Sequence, residues 1–159
     1  MIVYHGTTME IKKPDIKYSK AHLDFGVGFY TTSFQKQAER WAARKGMRLS
    51  RPGIINVYEI GDFSDFRVKR FTDTDNEWLQ FVVDCRNGKD VYKDFDAVIG
   101  NVANDDVFKC VSMFMDGIWD EERTLKEINY FKKNDQIAFL TQEIIDGIVV
   151  FKYSYEVKS

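Results

Sequence analysis

Strand-like and helix-like stretches follow one another along this chain without strict alternation, and that irregular order is the strongest restraint on its fold. A doubly wound α/β sheet needs a helix after nearly every strand. Here residues 2–5, 28–32, 54–60, 66–71, 95–99, 137–139 and 148–155 carry the β-branched and aromatic residues of strands. Helical spacing places Phe34, Ala38, Trp41, Ala42 and Lys45 on one face of a helix that starts near Ser33, and Gly46 is the expected stop. Trp78, Leu79, Val82 and Cys85 share a second helical face, with Asp75 as its N-cap. A third helix runs from a cap at Asn104 or Asp105 through Val107, Cys110, Val111, Phe114 and Met115 to Gly117. Residues 120–131 and 141–146 read as two more helices. The expected class is α+β. With 159 residues, 44% of them hydrophobic, and no repeat or linker, the expected organisation is one domain over 1–159.

Charge and cysteine content exclude several functions. The 23 basic and 25 acidic residues leave a net charge of −2, so no bulk field draws the chain to nucleic acid or anionic membrane. Lys12, Lys13, Lys17 and Lys20 are the candidates for a local basic patch. Cys85, Cys110, His5 and His22 lack metal-ligand spacing, so no metal site is expected. The amino-terminal residues do not resemble a signal peptide, and no apolar run is long enough to span a bilayer. The expectation is a cytoplasmic protein with reduced thiols and no membrane partner.

Two segments carry candidate chemistry. Tyr4-His5-Gly6-Thr7 closes the first strand with an imidazole, a glycine that admits close backbone approach, and a hydroxyl. A turn after an edge strand is the structural alternative. Phe25-Gly26-Val27-Gly28-Phe29-Tyr30 sets two glycines before a strand, which matches neither a Walker loop nor a dinucleotide fingerprint. Trp41 lies eleven residues beyond Tyr30, on the following helix. A strand and the next helix can hold two rings on either side of a flat heterocycle, or bury them as ordinary core aromatics.

In this order and separation, the two segments resemble the first two motifs of ADP-ribosyltransferases of the diphtheria-toxin and poly(ADP-ribose) polymerase type. Trp41 stands where those proteins carry a second tyrosine. The chain is also similar to a family of small bacterial domains of unknown function, through Glu77-Trp78-Leu79, Val98-Ile99-Gly100, Ala103-Asn104-Asp105 and Asp135-Gln136. The resemblance implies two packed, mainly antiparallel sheets with flanking helices and a cleft for NAD. It implies that His5 bonds a ribose of NAD, that the Gly6 backbone holds the carboxamide, and that Thr7 sits at the ribose. Gly28 belongs to the same cofactor-binding set, and Tyr30 and Trp41 stack on the nicotinamide. The family's third motif is a glutamate opening a late strand, where its charge supports the developing cation. This chain has Asp135-Gln136 there, and either residue can occupy the position. Glu77 and Asp105 are further candidates for an acid.

The resemblance therefore implies an NAD-dependent mono-ADP-ribosyltransferase, a glycosyl transfer with release of nicotinamide to an unidentified macromolecular acceptor. His5, Tyr30, Asp135 and Gln136 are its candidate catalytic residues. The alternatives are a catalytically weak or inactive module that binds NAD or ADP-ribose, and a toxin-type module held in check by an antitoxin protein.

Overall fold

A computed structural model describes residues 1–158. The chain runs β1 (Ile2–Thr7), β2 (Phe29–Thr31), α1 (Gln35–Leu49), β3 (Ile54–Ile60), β4 (Val68–Arg70), α2 (Asn76–Arg86), β5 (Ala97–Asn101), α3 (Asp105–Met115), α4 (Glu121–Ile128), β6 (Asp135–Phe139), α5 (Gln142–Ile148) and β7 (Val149–Glu156). The fold is α+β, with two sheets and five helices among the described residues. One sheet has the order β1-β3-β7 and is antiparallel; the other has the order β2-β6-β5-β4, with β4 parallel to β5.

Three apolar clusters hold these layers. Val3, Tyr58 and Ile60 of the first sheet meet Phe29, Ile137 and Phe139 of the second, and α5 closes this core with Ile144, Ile145 and Ile148. The other face of the first sheet carries α1, through Ala38 and Ala42 on Ile55 and Val57. The other face of the second sheet carries α2, α3 and α4, around Trp78, Leu79, Val82, Val98, Val111 and Ile128. Side-chain caps set the helix starts where the short polar residues stand. Asp75, Asn104, Asp120 and Thr141 accept from the backbone N–H groups of Trp78, Val107, Arg123 and Ile144.

Two expected boundaries move. Gly6 does not end β1, which continues to Thr7. Gly46 does not end α1 either; the helix runs to Leu49 and closes on Ser50 in the left-handed region, φ 52°. A Cβ at Gly46 would lie 2.5 Å from Arg51 O, so this glycine serves the close return of the chain rather than the stop. At the third helix, Asn104 rather than Asp105 is the cap.

Candidate functional site

The two sheets meet along one edge, where β1 and β2 share a single bridge. Tyr4 N–H donates to Thr32 O at 2.8 Å and Thr32 N–H donates to Tyr4 O at 3.0 Å. The backbone groups of Tyr4 thus point away from β3. Strand alternation turns those of Gly6 the same way, onto the edge past the bridge, where β2 no longer pairs. A Cβ at Gly6 would sit 2.1 Å from Ala38 O and 2.9 Å from Ala42 N. The close backbone approach expected at this glycine is therefore made by α1, which lies directly on β1.

His5 tilts its ring over Phe29, with centroids 4.5 Å apart. Its Nδ1 is 2.6 Å from Tyr30 O. A carbonyl only accepts, so Nδ1 carries the proton and Nε2 is left as an acceptor. Burial pulls the His5 pKa from 6.5 to about 4; the Tyr30 carbonyl opposes that shift and Lys45 adds to it. The ring is neutral at pH 7. Thr7 is buried and accepts from Lys45 Nζ at 3.1 Å.

The glycine-containing segment folds inward. Gly28 N–H donates to Ser19 Oγ at 2.8 Å, and a Cβ at Gly28 would fall 2.7 Å from Phe139 O. Gly28 thus packs against β6. The Tyr30 hydroxyl donates to Gly26 O at 2.6 Å and accepts from Phe25 N at 2.9 Å. Burial drives its pKa well above 10. Its ring packs against the cluster under α2 and α3.

Trp41 shares a face of α1 with Gln37 and Lys45 at four-residue spacing. Gln37 accepts from Asn134 Nδ2 at 3.1 Å, just before β6, and Lys45 reaches the end of β1. Half-buried Trp41 therefore stands between the start of β6 and the end of β1, and it joins none of the apolar clusters. Tyr30 and Trp41 arise from different walls, the second sheet and α1.

The register separates Asp135 from Gln136. Asp135 accepts from Thr32 Oγ1 at 3.0 Å, from Ser33 N at 2.9 Å and from Ser33 Oγ at 2.6 Å, so its carboxylate fastens the turn between β2 and α1. Tyr30 is paired with Ala138, and alternation puts Gln136 on that same face, opposite to Asp135. Gln136 is 3% exposed and its Nε2 has no hydrogen-bond partner. The amide lies beside Asp24, a buried carboxylate that accepts from Arg86 Nε at 2.7 Å. Burial raises the Asp24 pKa, while Arg86 works against that rise. Arg86 Nη1 is a second buried donor without a partner. Sequence reasoning assigned no role to Asp24 or Arg86, which lie 62 residues apart and carry no local pattern.

The other candidate acids are placed differently. Exposed Asp105 pairs with Arg44 at 2.7 Å, and Arg44 follows Trp41 by three residues. Glu77 pairs with Lys69 on β4, the strand at the far end of its sheet from β2. Among the described residues no cluster of three or more potential ligands could hold a metal ion. Both cysteines are free, and burial pushes the Cys85 thiol up to about 12. No helix among the described residues is long and apolar enough to cross a membrane.

No curated protein and no solved structure matches this chain. The model of one family, a protein of unknown function named DUF3990, matches residues 1–150, and the chain therefore belongs to the DUF3990 family.

Proposed function

We propose that the cleft between β1–α1 and β2–β6 binds NAD and that the protein is an ADP-ribosyltransferase, of the fold the resemblance implies. The observation that carries this reading is the buried Gln136 Nε2, which lies beside Asp24 but completes no well-formed hydrogen bond. It shares the Tyr30 face of β6, the face that α2, α3 and α4 cover. Leaving a buried amide unpaired costs about 1–3 kcal/mol, a cost that a bound hydroxyl or carbonyl offsets. The Gly6 N–H and C=O would hold the carboxamide, Trp41 and Tyr30 would flank the nicotinamide, and His5 Nε2 would accept from a ribose hydroxyl.

NAD supplies a bond between the nicotinamide nitrogen and the ribose anomeric carbon; the bonding pair leaves with nicotinamide, the acceptor's lone pair closes on the carbon, and the acceptor's proton passes to solvent. Gln136 would orient the ribose without adding a charge. Asp135 is spent on Thr32 and Ser33, so the group that stabilises the cation is a dipole.

The test is calorimetric titration with NAD together with nicotinamide release in the presence of lysate and labelled NAD. Binding and release in wild type are expected, with both reduced at least tenfold in His5→Ala and Gln136→Leu. Absence of binding and of release sinks the proposal. Binding without release favours the second reading, a module that holds NAD or ADP-ribose without turning it over, which the uncharged Gln136 supports.

A further inference from the structure

Lys45 stands where β1 ends, Arg48 is beside it on α1, and neither these two nor Lys20 has a carboxylate within ion-pair distance among the described residues. Lys45 comes from α1 and donates to Thr7 Oγ1 at 3.1 Å. Thr7 is 3% exposed, and with its oxygen engaged as an acceptor its own proton remains to donate. Arg48 follows Lys45 by three residues and so neighbours it on the helix surface. Lys20 comes from the segment before β2, which the Ser19 hydroxyl ties to Gly28 N–H.

These charges act on one another. Burial, Lys20 and Arg48 all lower the Lys45 pKa, and no acidic group acts on it in the other direction. Several cations elsewhere in the molecule are matched: Arg44 with Asp105, Arg86 with Asp24, Lys69 with Glu77. Like charges held together without a counterion disfavour the empty state and favour an anion of two or more charges. The cluster also lies beside the cleft. Lys45 is near enough to His5 to lower its pKa, and Thr7 is the next residue after Gly6.

We infer that Lys45, Lys20, Arg48 and the Thr7 hydroxyl form a phosphoanion subsite that takes the diphosphate of a dinucleotide. The dinucleotide part rests on the NAD reading above; the anion site itself does not. Thr7 then serves the diphosphate rather than the ribose.

The experiment titrates the full chain calorimetrically with inorganic pyrophosphate, with orthophosphate and with NAD. The proteins are wild type, Lys45→Gln, the double variant Lys20→Gln/Arg48→Gln, Lys45→Arg, and Lys36→Gln as an exposed control, each checked by thermal melting. Pyrophosphate is expected to bind wild type more tightly than orthophosphate. Lys45→Gln and the double variant each weaken pyrophosphate about tenfold, the usual scale for one charge-assisted contact. Lys45→Arg retains most of the affinity, and Lys36→Gln is unchanged. Pyrophosphate binding that the variants weaken, with no NAD binding, upholds the anion site and defeats the NAD reading. NAD binding that the variants leave untouched, with no binding of pyrophosphate, overturns the subsite and leaves the NAD reading standing. Equal pyrophosphate affinity in all folded variants also overturns it.

Discussion

Beside β1 and α1, Lys45 and Arg48 have no carboxylate within ion-pair distance among the described residues, whereas beside β2 and β6 Gln136 and the Asp24–Arg86 pair are sunk from water. The difference follows from what burial costs. An ammonium at the mouth keeps part of its hydration, so a missing partner is tolerable there. Deep in the protein an unpaired charge costs several kcal/mol, and an unpaired amide only about 1–3 kcal/mol. Asp24 accordingly has Arg86, while Gln136 Nε2 has only the neighbouring Asp24 carboxylate and completes no well-formed hydrogen bond. A glutamate at 136 would set a second carboxylate beside Asp24, and two carboxylates sharing one buried place cannot both ionise readily.

Four substitutions or conditions test that contrast. The largest effect is expected for Gly6→Ala. Its Cβ would strike the backbone of Ala38, which cannot swing away as a side chain can, so α1 must lift from β1. A loss on the order of 4 kcal/mol in thermal or urea unfolding is expected, and a stable Gly6→Ala protein would show that the β1–α1 wall is looser than described.

Acid comes next. His5 has a folded pKa near 4 against 6.5 unfolded, so both states are neutral above 6.5 and the term is fully favourable there. As pH falls from 6.5 to about 4, the unfolded chain takes up a proton that the folded chain refuses. Roughly 3 kcal/mol of stability is then lost over that window. His5→Gln should flatten this part of the profile in pH-dependent urea melts; an unchanged slope would mean the ring is not desolvated as its place over Phe29 requires.

The neighbours on β6 give the smaller pair. Asp135→Ala removes the acceptor for three donors at Thr32 and Ser33, and about 2 kcal/mol should go. Gln136→Leu removes an Nε2 that completes no well-formed hydrogen bond, so stability should stay within about 1 kcal/mol of wild type or rise. Reversal of that order in chemical denaturation would show that Gln136, rather than Asp135, is the structural residue.

Much of the architecture was legible because periodicity reports on burial. Trp78, Leu79, Val82 and Cys85 were read as one helical face and all are buried. The β-branched and aromatic residues at 54–60 were read as a strand, and α1 and the inter-sheet core cover its two faces. The glycines misled because a missing side chain has two uses. Gly6 and Gly46 looked like stops, yet both admit another piece of backbone. The candidate site was legible only as motifs along the chain. Which of Asp135 and Gln136 faces Tyr30 depends on strand register, which a one-residue slip would invert. The contacts Asp24 with Arg86 and Lys45 with Thr7 join residues 62 and 38 positions apart, and nothing local marks either.

The join between the sheets has a mechanical consequence. Tyr4 and Thr32 form a ladder of one rung, two hydrogen bonds with no adjoining pair to reinforce them. The rung is backed by the His5–Tyr30 bond and by Val3 and His5 against Phe29, so opening there parts those contacts but leaves the ladder of each sheet intact, a smaller event than global unfolding. The amides of Tyr4 and Thr32 are thus a built-in gauge. Their hydrogen exchange should outpace that of the β1–β3 ladder, and it should slow when a ligand stitches the Gly6 edge to the far wall.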